Sequence, residues 1–92
     1  MALTALITSQ TAAATSSEFV VTSPTTVTCD GLGIDDVVQV LVKTVAGTFQ
    51  QLNYKEPVLL TRRDNTIILS AIGAYQVKKG VTSAAVSVGY EA

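Results

Sequence analysis

From residue 18 onward, short runs rich in valine, isoleucine and threonine alternate with breaks that hold glycine, proline or aspartate, at a spacing of about 8 to 12 residues. No stretch repeats its apolar residues at the roughly 3.6-residue period of an amphipathic helix. This rhythm confines the chain to an all-β fold, because a strand turns successive side chains to opposite faces and buries only every second one. TTVTC at 25–29 sends Val27 and Cys29 one way, Thr26 and Thr28 the other. DVVQVLVK at 36–43 sends Val38, Val40 and Val42 inward, leaving Val37, Gln39, Leu41 and Lys43 outside. TIILSA at 66–71 alternates around Ile67 and Leu69, AYQVK at 74–78 buries Tyr75 and Val77, and SAAVSVGY at 83–90 closes the sheet with Ala84, Val86 and Val88. The expected fold is an antiparallel β-sandwich of two sheets. Eight strands make it jelly-roll-like and seven immunoglobulin-like; the runs alone leave both open.

A 92-residue chain forms one domain and buries only about 60 to 65 per cent of the surface it exposes when unfolded. Domains this small usually need a staple: a disulfide, a metal or a partner. Cys29 is the one cysteine, so no disulfide forms within the chain, and its flanks suit a small buried core residue. There is no histidine, and the seven carboxylates are scattered without zinc spacing. CDGLGIDD at 29–36 gathers three of them around two glycines but misses the ligand rhythm of a calcium loop, so it reads as a solvated turn. No metal or other cofactor is expected. Association with another chain is the remaining staple.

The first seventeen residues, MALTALITSQTAAATSS, carry no charged side chain. A secretory signal would have a basic start and an unbroken apolar run, and a membrane span would need about twenty apolar residues; neither is present. The many threonines and serines disfavour a helix. The segment is therefore expected to be a short strand at 3–8 followed by a Ser/Thr/Ala connector. Chain ends of this kind stay disordered unless tied down, and two anchorages are open. One is pairing into the chain's own sheet. The other, favoured here, is an extended N-terminal arm over residues 1–17 that docks on a neighbouring subunit through Leu3, Leu6 and Ile7, leaving residues 18–92 as the sandwich domain. Val37 and Leu41, apolar on the outer face of their strand, need cover from that arm or from a partner.

Charged residues make up 14 per cent of the chain against about 25 per cent in an ordinary soluble domain, with threonine and serine in their place. A surface so weakly hydrated suits a chain packed against others. Six basic and seven acidic residues give a net charge of −1, with no basic stripe for nucleic acid. Catalysis is not expected: histidine is missing, no nucleophile elbow or phosphate loop occurs, and Lys55 and Glu56 read as a turn before Pro57. Without tryptophan, and with Phe19 and Tyr75 assigned to the core, too few rings remain for a sugar-stacking platform. Of the two basic pairs, Arg62-Arg63 is the better candidate for a polar protein contact than Lys78-Lys79, since the guanidinium fork suits surface carboxylates.

The phrase order VTCDGLG, DDVVQVLV, GTFQQL, DNTIIL and IGAYQVKK across residues 18–90 resembles the small all-β cement or decoration proteins of tailed bacteriophage heads. The resemblance implies a virion structural protein that stabilises an assembled shell from the head exterior, after residence in the host cytoplasm during assembly. It implies a major capsid protein as partner and a homo-oligomeric state, with no enzymatic activity, cofactor, nucleic acid, membrane or small-molecule substrate. The arm would then clamp neighbouring capsomers or swap between protomers. An adhesion or ligand-binding sandwich module of a tail fibre or bacterial surface protein is the alternative.

Overall fold

Alternation gives each strand one face to bury, and two sheets form whose apolar faces pack on each other. The computed structural model describes residues 3–54, 56–82 and 84–91, apart from the side chain of Tyr54. The strands are β1 (Thr4–Gln10), β2 (Ala14–Thr15), β3 (Phe19–Val21), β4 (Thr25–Asp30), β5 (Val37–Lys43), β6 (Phe49–Gln51), β7 (Asn53–Tyr54), β8 (Glu56–Pro57), β9 (Leu59–Thr61), β10 (Thr66–Leu69), β11 (Gly73–Lys79) and β12 (Val86–Glu91). No helix occurs among the described residues, and every pairing is antiparallel. The first sheet runs β1-β12-β4-β10. In the second, β11 and β5 lie at the centre; β2 and β3 follow one another along the outer side of β11, and β6 and β9 share the outer side of β5. β7 and β8 form a small hairpin of their own.

The core lies between the sheets, where Val27, Cys29, Leu69, Val86 and Val88 meet Val21, Val38, Val40, Leu60 and Val77. Each such side chain contributes about 1.5 to 3 kcal/mol relative to exposure. An aromatic group closes one part of it: the Phe19 ring stacks on Tyr90 at a centroid distance of 4.7 Å and lies 6.1 Å from Tyr75. Tyr75 is buried, and its hydroxyl donates to the Ala71 carbonyl at 2.8 Å, so the polar tip of an inward ring is satisfied by the turn that precedes its strand. The inward assignments of Val27, Cys29, Val38, Val40, Leu69, Tyr75, Val77, Val86 and Val88 hold. Ala84 does not: it sits exposed in a bend ahead of β12, whose first residue is Val86.

The N-terminal segment departs from the favoured expectation. Met1 and Ala2 lie outside the described residues, but 3–17 are built into the chain's own sandwich. β1 pairs with β12 along the first sheet, and β2 crosses to pair with β11 in the second. Ile7 is 4 % exposed and belongs to the core, and Leu6 packs against it. Two neighbouring residues face inward together because β1 is bulged, with register shifts between Ala5 and Ile7 and again between Ile7 and Gln10. At the second bulge Ser9 takes a φ of 44° and its N–H bonds the Ser87 hydroxyl. The link to the second sheet is pinned as well. Lys79, 2 % exposed, donates from Nζ to the carbonyls of Ala12 and Gly80 at 2.6 and 3.0 Å, and Thr82 N–H donates to the Thr11 carbonyl. Buried Ser16 takes a place in the ladder through its hydroxyl, which accepts from Val77 N–H at 3.0 Å. The radius of gyration, 12.3 Å, equals the roughly 12 Å of a compact chain of this length and leaves no room for a projecting arm. A division at residue 17 therefore cuts through one continuous sandwich.

Candidate functional site

Cross-strand register sets small side chains side by side on the outer face of the first sheet. Ala5 pairs with Gly89, Gly89 with Thr28, and Thr28 with Thr66, so one row across all four strands offers no side chain larger than threonine. The row is the floor of a hollow of about 500 Å3. Leu3 stands at its edge, 58 % exposed, with Cγ 3.1 Å from where a Cβ on Gly89 would lie. On one side the next row continues with Glu91, Thr26 and Ile68, the last 67 % exposed. On the other stand Ser87 and Asp30. A second, smaller depression of about 420 Å3 adjoins it between Leu3, Thr26, Thr28 and Glu91. The floor is uncharged, and the two carboxylates sit at its margins.

Little chemistry is available in this trough. The Cys29 thiol, on the inner face behind the trough, is buried and pushed up from its ordinary 9.0 to about 11, first by burial and then by the neighbouring Asp30 carboxylate. It stays protonated and poorly nucleophilic at neutral pH. No group of three or more metal-ligating side chains converges among the described residues. In the CDGLGIDD turn the Asp36 carboxylate accepts from Gly33 N–H at 3.0 Å, and Asp36 N–H returns to the Gly33 carbonyl at 3.3 Å, so that acid is spent on loop geometry.

The residues expected from sequence to meet a partner are not brought together. Leu3 borders the trough of the first sheet, whereas Leu6 and Ile7 are turned into the chain's own core. Ile7 is thus corrected from a partner contact to a core residue. Val37 and Leu41 lie on the outer face of the opposite sheet, and the N-terminal segment does not cover them. Leu41 is half-buried between Gln76 and Gln51, its cross-strand neighbours, and Val37 sits beside Thr61. Arg62 and Arg63 occupy an exposed turn at one end of the sandwich. With Ile34 and Thr61 they line a depression of about 570 Å3. Among the described residues the ion pair formed is Lys43–Glu18, at 3.6 Å, and neither arginine is paired with a carboxylate of those residues. Lys55, expected with Glu56 in a turn before Pro57, lies outside the described residues.

The trough was not singled out from sequence. Its signal was nevertheless present in Gly89, a glycine inside a valine-rich strand, which marks a place where something approaches the backbone closely. Compared with family models, with curated proteins and with solved structures, the chain finds no significant match.

Proposed function

We propose that the protein is a virion structural protein, a decoration or cement protein that binds the exterior of an assembled head shell, with the outer face of its first sheet as the contact. The observation that carries this reading is the neutral trough floored by Ala5, Gly89, Thr28 and Thr66 and bordered by exposed Leu3 and Ile68. Such a surface is apolar enough to be covered, has a floor without charges that would have to be desolvated, with Asp30 and Glu91 only at its margins, and is broad enough for a polypeptide segment. The strand order supports a jelly roll over the immunoglobulin-like alternative. Counting β2 with β3 and β6 with β9 as single positions, and setting the small hairpin aside, the sheets run 1-8-3-6 and 2-7-4-5. Only positions 4 and 5 are neighbours in both sequence and sheet, as two interleaved Greek keys require, whereas an immunoglobulin-like sandwich pairs its first two strands directly. Jelly rolls recur in viral capsid proteins, in keeping with the resemblance to head decoration proteins. The contact is made by a sheet face; of Leu3, Leu6 and Ile7, Leu3 is the one that remains available for it, beside Ala5 on the trough floor.

Co-sedimentation with intact phage heads tests the reading. The wild-type chain is expected to pellet with particles, and Thr28→Lys, which raises a charge from the trough floor, to lose attachment by at least about tenfold (about 1.4 kcal/mol). Equal pelleting of both would exclude the trough as the contact. The volume of the hollow, about 500 Å3, favours a second reading, a ligand-binding module, because small-molecule sites fall in the range of about 300 to 1,000 Å3. Three of the five aromatic rings are committed to the core, which leaves sugar stacking poorly served. Saturable glycan binding by the isolated chain, competed by Thr28→Lys, would decide for that second reading.

A further inference from the structure

A sandwich sheet has two edges, and an edge strand directs the N–H and C=O of every second residue away from its neighbour, where they can recruit another strand. Three of the four edges here are interrupted. β1 carries two bulges. The β2–β3 edge is broken between Thr15 and Phe19, with Glu18 in the gap. The β6–β9 edge is split by the β7–β8 hairpin with its Pro57, and there the Gln51 amide Nε2 donates to the carbonyls of Val40 and Val58. β10 is different. Its four residues, TIIL, keep unbroken register with β4 and include no charge, proline or bulge.

The phase of β10 follows from one bond. Cys29 N–H donates to the Asn65 carbonyl at 2.9 Å, so the alternate residues Asn65, Ile67 and Leu69 address β4, while Thr66 and Ile68 turn their N–H and C=O outward. We propose that β10 pairs antiparallel with the β10 of a second copy of this chain, joining the two four-stranded sheets across a two-fold axis. Two outward donors and two outward acceptors form a self-complementary set, as a two-fold interface demands. Thr66 of one copy faces Ile68 of the other, and Ile67 faces its counterpart on the axis as a non-hydrogen-bonded pair. The same register sets Asp64 opposite Ser70 and Arg63 opposite Ala71, so like charges do not meet. Ile68 gains cover, and the two neutral troughs become parts of one continuous face.

This pairing concerns the free chain and does not depend on shell attachment. Sedimentation velocity of the full chain is expected to show a dimer. Ile68→Lys and, separately, Thr66→Lys should weaken it by at least about tenfold without changing the far-ultraviolet circular dichroism, since both side chains already face solvent. Val20→Lys, at a site 62 % exposed on the opposite sheet, should leave it intact. For the register, a Cys29→Ala/Ile67→Cys variant is expected to form an inter-chain disulfide on mild oxidation, and Cys29→Ala/Thr66→Cys is not. A wild-type chain that stays monomeric at several hundred micromolar, a dimer that survives both lysine variants, or cross-linking through position 66 in place of 67 would overturn the proposal.

Discussion

At Gly31 the backbone takes a φ of 92°, and a Cβ there would run into the carbonyl oxygen of Ala85, so the turn after β4 and the approach to β12 fit only around a glycine. Gly31→Ala is expected to cost at least about 1 to 3 kcal/mol, read as a lowered urea midpoint with unchanged slope. Lys79 acts through its two carbonyl partners. Lys79→Ala should cost about 2 to 4 kcal/mol, since it leaves the Ala12 carbonyl unmatched and opens a cavity, and limited proteolysis should then cut first within residues 10–14. Cys29 gives the chain an alkaline limit. Its folded pKa, about 11, is above the ordinary 9.0, so the folded state holds the proton more tightly. The resulting stability is complete below about pH 9 and is lost as pH climbs toward 11. Unfolding titrations of wild type and Cys29→Ala should therefore run parallel below pH 9 and diverge above it, the wild type falling faster.

At the scale of elements, the N-terminal strand decides how the fold is to be tested. Because Ile7 is in the core and β1 and β2 each pair with a central strand, removing residues 1–17 should abolish cooperative thermal unfolding, not leave a folded body that has lost only an arm. A sharp transition in the truncated chain would contradict this placement. Strand runs such as TTVTC and AYQVK were legible because their alternation repeats over several residues. β1 was legible as a strand, expected at 3–8 and found at Thr4–Gln10, but its anchorage was not, since two bulges in seven residues break the alternation that marks an inward face, and the uncharged composition of the segment is equally consistent with an arm docked on a neighbour. Ala84 lies in a bend and not in the strand for a related reason: small residues fit either, and the bend before β12 has no glycine or proline to announce it.

The whole molecule turns two unlike outer faces to its surroundings. The second sheet shows a mixed surface with the Lys43–Glu18 pair, and the first shows the neutral trough. The trough depends on the register of four strands that are distant in sequence, so no local reading could assemble it, although Gly89 and the Thr26/Thr28 alternation each hinted at it. An uncharged contact should be nearly indifferent to salt. Attachment to heads is expected to change less than about threefold between about 0.05 and 0.5 M sodium chloride, whereas a contact driven by Arg62 and Arg63 would weaken steeply over that range. The most direct measurement of the proposed attachment is an electron cryomicroscopy map of tailed-phage heads incubated with the purified protein. The sheet β1-β12-β4-β10 should lie face-down on the capsid exterior, with Gly89 and Thr28 beneath shell density; bare heads, or copies held by the Arg62-Arg63 turn with the trough open to solvent, would contradict it.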